Sequence, residues 1–315
     1  MHQRLLPHRF LPLLLASMAA CCARAPEFDE PIPTRLEVAL GASPAAVLHL
    51  AAEPRPFVHP LRSPEGVELT RAYPMEERAG EEPDHPHHTS LWVAHGDVDG
   101  HDFWHSKADA ARIELDGEIE RVELDGGVRV RVPYRWVVGD DEVLLRERRE
   151  WTLSDAEDHR VVDLVCELEA VGEVRTFGDT KEGSFAVRVR PELRVEGPHA
   201  AGQLTNSEGD EGRAVWGQRA RWIHDQGEVE GRVRGVALLD APTNPRFPTW
   251  WHARTYGLLA ANPFGRRAFE GGEAQDGALR LEPGTPVRFA HRLLLHDGEW
   301  SAERVEAAWT AWAGR

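Results

Sequence analysis

Lysine is almost missing from this sequence: Lys107 and Lys181 stand against thirty-five arginines. Cysteine is scarce too, three in 315 residues, and two of the three are the adjacent Cys21 and Cys22. Cys166 is then alone in the body of the chain, which excludes an internal disulfide and leaves stability to a core. After residue 20 no apolar run approaches the ~20 residues of a membrane helix, so the body is expected to be soluble. An excess of positive charge is lacking as well. The formal charge is −16, which argues against nucleic acid or an anionic membrane surface as the main partner. The sequence holds no GxSxG, GxGxxG, P-loop or HExxH, and so gives no support to serine-nucleophile, dinucleotide, nucleotide or zincin chemistry.

What is present begins with Arg4 and Arg9 ahead of the apolar run FLPLLLASMAA. That is the layout of a secretory signal over residues 1–20, and an exported protein is expected, its charge −18 once those two arginines are gone. AACC resembles a bacterial lipobox, so Cys21 or Cys22 is the expected lipid-bearing terminus. Residues 21–34 then form a proline-bearing, charged tether, and the protein resides in the periplasm or on the outer membrane as a lipoprotein. Residues 35–315 read as one domain.

From Arg112 to Ala170 the pattern has period two. Val128, Val130 and Val132 alternate with Arg129 and Arg131, and Asp125-Gly126-Gly127, Gly139-Asp140-Asp141 and Ser154 to Asp158 supply turns. This predicts antiparallel strands in a meander. FAVRVRPELRVEG, GRVRGVALLD and PVRFAHRLLLHDG repeat the alternation. Helical periodicity stands out only in SAERVEAAWTAWAG, with Ser301 as cap and Val305, Ala308, Trp309 and Trp312 on one stripe. The expected fold is all-β, a large antiparallel β-sandwich with a short C-terminal helix.

Chemistry concentrates in DHPHHTSLWVAHGDVDGHDFWH, residues 84–105, which holds six of the sixteen histidines. Pro86 favours an extended His85, which would put His85 and His87 on one side and His88 on the other. Two imidazoles so spaced can share a divalent metal if a third ligand arrives from elsewhere; a wet loop is the bland alternative. Asp97, Asp99 and Asp102 have a partial calcium-loop spacing without the distal glutamate, so a hairpin turn reads better. If LWVAH is a strand, His95 and Asp97 point together into a pocket. Trp92, Phe103 and Trp104 are either core or a sugar-stacking platform.

Two further stretches stand out. In TFGDTKEGSFAVRV, Lys181 occupies a position where this sequence would ordinarily supply Arg; lysine can be tuned to release its proton and arginine cannot, so Lys181 beside Glu182 hints at acid/base work. Gly178 and Gly183 fit a tight, exposed turn. In PTWWHARTYGLLAANPFG, His252, Arg254 and Tyr256 would align a base, a cation and a phenol on one face of a strand, and Asn262-Pro263 reads as a turn.

VHPLRSPEG (58–66), DHPHHTSLWVAHGDVDGHDFW (84–104), DTKEGSFAVRV (179–189), LTNSEG (204–209) and HARTYGLLAANPFG (252–265) together resemble the bacterial PmoA-like family. The resemblance runs from about residue 35 to residue 312. It implies a secreted or lipid-anchored β-sandwich of galactose mutarotase type, whose cleft places histidines and an acid around a sugar ring, and it adds His59 to the candidates. Thr89 stands where the family pattern leads one to expect Arg, a departure that argues against a cation beside His88 unless Arg254 takes that role.

The leading expectation is an exported carbohydrate-active enzyme doing acid/base chemistry on a sugar or glycoside, as an epimerase, lyase or hydrolase. His85, His88, Lys181, Glu182 and His252 are its catalytic candidates. His59, Trp92, His95, Asp97, Arg254, Tyr256 and Asn262 are its substrate-binding ones. The family label implies an alternative, a metal-dependent oxygenase-like enzyme with His85, His87 and His252 as ligands. A third reading is a non-catalytic glycan-binding lipoprotein.

Overall fold

Valines alternating with arginines fold as the pattern predicts. In the computed structural model, which describes residues 34–106, 111–272 and 275–314, the strands Gly127–Val138, Glu142–Asp155 and His159–Ala170 form an antiparallel meander. The described part lies within one compact unit, Ile32–Arg315. The signal, Cys21, Cys22 and the tether up to residue 33 fall outside the described residues.

Strands Arg232–Asp240 and Val287–Asp297 extend the meander into a nine-stranded sheet. A seven-stranded sheet runs from the N-terminal strand Arg35–Leu40 through Leu91–His95, Gly183–Arg188 and Leu258–Asn262. The two share one core: Val93, Phe185, Val187 and Leu259 from the smaller sheet meet Val130, Trp136, Trp151, Leu164 and Leu293 from the larger. The protein is thus an all-β antiparallel sandwich. In FAVRVRPELRVEG only the first half is strand; Pro191 removes a ladder donor and opens a 3₁₀ turn, Pro191–Leu193.

The larger sheet's outer face carries two kinds of cover. Over part of it the C-terminal helix Ala302–Ala313 lays the expected stripe onto Trp222, Leu239 and Leu294, and the Ser301 hydroxyl caps it by accepting from the Arg304 N–H at 3.4 Å. Elsewhere arginines and glutamates pair across strands, as in Arg131 with Glu150 at 2.6 Å. Such exposed pairs each contribute under about 1 kcal/mol.

Candidate functional site

The outer face of the seven-stranded sheet is built differently. Period two sends Leu91 and Val93, Phe185 and Val187, Leu259 and Ala261 to the core, which leaves Trp92, Ala94, Ala186, Leu258 and Ala260 on the other side. Three alanines make a low floor. Trp92 and Trp104 pack upon it, their rings 5.1 Å apart and both fully buried.

On that floor the residues 84–88 curl instead of extending. His85 has φ 43°, in the left-handed region, and the His88 N–H closes a turn onto the His85 carbonyl at 2.9 Å. Two contacts hold this conformation: the Arg71 guanidinium donates to the same carbonyl at 3.0 Å, and Asp84 lies 3.0 Å from His85 Nδ1. The curl gathers all three rings instead of setting His88 apart from His85 and His87. His85 stacks on His88 at 4.8 Å between ring centroids, His87 meets His88 edge-on at 4.4 Å, and His88 lies over Trp92 at 5.2 Å.

The cation beside His88 is Arg188, not Arg254. Arg188 donates to His88 Nδ1 at 3.1 Å and to both oxygens of Asp84 at 2.9 and 3.1 Å, and Arg71 pairs with the same carboxylate. Burial, then the nearby His87 and Arg188, holds the His88 imidazole far below its ordinary pKa. His88 is therefore neutral, with its proton on Nε2. Arg188 in turn lies 4.5 Å over the Tyr256 ring, which stacks on His85 at 5.0 Å.

Beyond His87 the face opens into a pocket of about 330 Å³ walled by Phe57, Pro74, Met75, Pro86, His87, Thr89 and His105. His105 was not among the sequence candidates. Its Nδ1 lies 2.7 Å from Asp102 Oδ2, while Asp102 Oδ1 accepts from the Trp104 and His105 N–H groups at 2.9 Å each. Burial acts to raise the Asp102 carboxyl, but these bonds more than offset it and hold it ionised below the usual range. In the neutral ring the carboxylate thus favours the proton on Nδ1 and turns Nε2 away from it. The His105 ring lies 4.4 Å from that of His87. The buried Thr89 hydroxyl on this wall has no hydrogen-bond partner within the described residues.

A second group stands on the other side of Tyr256. Lys181 pairs with Glu182, Glu182 lies 3.9 Å from His252 Nδ1, and Arg254 donates to His252 Nε2 at 3.2 Å. Burial lowers His252 to about 4, partly offset by Glu182. His252, Arg254 and Tyr256 do not share a strand face: Arg254 to Gly257 form a turn, closed by the Gly257 N–H on the Arg254 carbonyl at 2.9 Å with Gly257 at φ 92°. Burial raises the Tyr256 phenol, and its charged neighbours are Arg188 and Arg254, Glu182 and Asp84. Tyr256 therefore stands between the two groups.

The remaining candidates sit elsewhere. His95 faces the sandwich core among Phe177 and Phe264 and donates from Nε2 to the Gly178 carbonyl at 2.9 Å; burial lowers it to about 4. Asp97 accepts from the Gly100 N–H at 2.8 Å in the hairpin turn, Asp99 pairs with Arg175 at 3.3 Å, and Asp102 serves His105, so the three carboxylates do not converge as calcium ligands. His59 is buried near Glu76, 3.7 Å away. Asn262 spends its amide on the Thr180 carbonyl at 2.9 Å and accepts from the Phe264 and Gly265 N–H groups, and so anchors the Lys181 loop. Trp92 is too deeply buried to stack on a ligand and supports His88 instead. Gly178 is buried, not exposed: a Cβ there would lie 1.9 Å from Asp97 Oδ2.

The proposed metal set does not assemble. His85 and His87 belong to the first group and His252 to the second. Among the described residues no group of three or more His, Cys, Asp or Glu side chains is arranged to hold a metal ion.

Fold and site define an all-β sandwich protein with a histidine-rich pocket on one outer sheet face. Over residues 35–310 its sequence matches the family described as Family of unknown function (DUF6807), and the chain belongs to that family. No curated protein matches it. Among solved structures, it is similar to the GH36 alpha-galactosidase AgaA from Geobacillus stearothermophilus at 13% identity, over 84% of this chain and 41% of that one, with a TM-score of 0.40. The alpha-galactosidase AgaB of the same organism gives 12%, 84%, 40% and 0.42. The 4-alpha-glucanotransferase from Thermococcus litoralis gives 11%, 81%, 36% and 0.28. The chain spans less than half the length of each of these proteins.

Proposed function

We propose that the protein is an exported carbohydrate-active enzyme whose outer-face site moves protons at a sugar carbon or glycosidic oxygen. The observation that carries this reading is the Asp102–His105 pair beside His87 on a pocket wall. A carboxylate that fixes one ring nitrogen leaves the other as a positioned base. The neutral His88 and the orphaned Thr89 hydroxyl are donors suited to sugar oxygens. Phe57 and the proline rings supply an apolar wall for a pyranose face. Across Tyr256, Glu182 and Lys181 supply a second acid/base pair. Epimerisation, elimination and hydrolysis all draw on such a set.

The test is turnover of a panel of sugars and glycosides by the wild type and by His105→Ala and Asp102→Asn variants. Losing a positioned base is expected to cost about 10²–10⁴-fold in kcat/KM, and Asp102→Asn, which frees the wrong tautomer, should approach the same loss. Unchanged turnover in both, and in His85→Ala, His88→Ala, Lys181→Ala, Glu182→Gln and His252→Ala, sinks the assignment. Tight sugar binding without turnover of any panel member would make the protein a glycan binder and not an enzyme.

A further inference from the structure

We infer that this site selects an acidic sugar, a hexuronate or a related sugar acid, and that Arg254 clamps its carboxylate. The inference rests on the sugar reading above and narrows it.

Arg254 is held but not paired. Its backbone N–H is fixed to the Leu258 carbonyl at 2.7 Å, its Nε donates to His252 Nε2 at 3.2 Å, and its guanidinium lies 4.9 Å over the Trp216 ring. Among the described residues no carboxylate lies within ion-pair distance of it, although carboxylates outnumber cations 53 to 37 in this chain and most arginines here have found one. With Nε tied and one face covered, the two terminal amino groups present a fixed fork. That is the geometry in which guanidinium binds a carboxylate through two parallel hydrogen bonds, and its fixing beforehand lowers the entropy cost.

The surrounding charge agrees. Around Tyr256, Arg71 and Arg188 share one carboxylate, Asp84, and Lys181 takes Glu182, so with Arg254 four cations there meet two anions. The imidazoles of His88 and His252 do not alter that count, since burial keeps both neutral. A local excess of two positive charges there, on a chain of net charge −16, attracts an anion. A neutral sugar would leave it uncompensated.

Titration of the full protein with galacturonate, galactose, glucuronate and glucose, followed by calorimetry at low and high salt, tests this. The acid of each pair is expected to bind about 10-fold or more tighter than its neutral parent, the margin shrinking with salt. Arg254→Gln should erase the margin while binding of the neutral sugar persists, and Arg254→Lys, which keeps charge but loses the fork, should restore only part. Unchanged thermal melting confirms that both variants remain folded. Equal affinity for acid and neutral parent, or a margin that survives in Arg254→Gln, overturns the inference and leaves the sugar reading standing. No binding of any of the four overturns both.

Discussion

As the pH falls through 6.5 toward 4, the protein is expected to lose stability at about 3 kcal/mol per pH unit or more. Burial holds His95 and His252 to about 4 and His291 to about 3, against 6.5 for an exposed imidazole. In that window the unfolded chain binds protons that the folded chain refuses, so each such group withdraws about 1.4 kcal/mol of stability per pH unit as acid is added. Asp240 acts in the opposite sense. Burial raises its carboxyl to about 7 from 3.8, so the folded state keeps a proton that the unfolded state releases, and acid restores stability there. Three histidines against one aspartate leave about two groups' worth of loss. His59, His88, His224 and His296, also lowered by burial, add to it, while Asp225, raised by burial, opposes it. Urea unfolding at a series of pH values reads the slope. Stability that stays flat or rises on acidification contradicts it.

Glu147→Ala is expected to cost about 3–5 kcal/mol, roughly a fifth or more of the stability of an ordinary domain. Glu147 and Arg149 project from the strand Glu142–Asp155 into the core, where both are about 1% exposed. The carboxylate accepts from Arg149 at 2.5 and 2.8 Å and from the Trp136 indole at 2.8 Å, and the guanidinium lies 4.7 Å over the Tyr134 ring. Burial works against the charge on Arg149, and Glu147 more than offsets it. Remove Glu147 and a guanidinium is stranded in a low-dielectric interior. The double variant Glu147→Gln, Arg149→Met removes both charges and keeps an acceptor for Trp136, so it should recover most of the loss. A single variant less than about 1 kcal/mol weaker than wild type, or a double variant no better than the single, contradicts a true buried pair.

Much of this architecture was legible because one sheet faces water. Val130 and Val132 are buried and Arg131 is exposed, so period two shows directly which side is core. The seven-stranded sheet gives no such contrast. All five residues of Leu91–His95 are buried, so the alternation fixes that His95 and Trp92 point oppositely without saying which of them faces the site. It is Trp92 whose side carries the site, and His95 that joins the core. The histidine cluster was legible by density, but not its supports: Arg188 stands 104 residues from Asp84 and reads locally as one more outward arginine. The Asp102–His105 pair is three residues apart in DFWH, but in sequence Asp102 reads as one of three aspartates with a partial calcium-loop spacing, and nothing local marks His105 as its partner. His85 departs from the extended backbone that a following proline favours, because contacts to Arg71 and Asp84 hold it left-handed.

The most direct measurement is long-range proton–nitrogen NMR of the histidine side chains, recorded with and without the best-bound sugar of the panel. Sugar chemistry on the outer face predicts that the resonances of His87 and His105 move on binding and that those of His59 and His291 do not. A sugar that binds or turns over while His87 and His105 stay unmoved would place the site elsewhere and contradict the central claim.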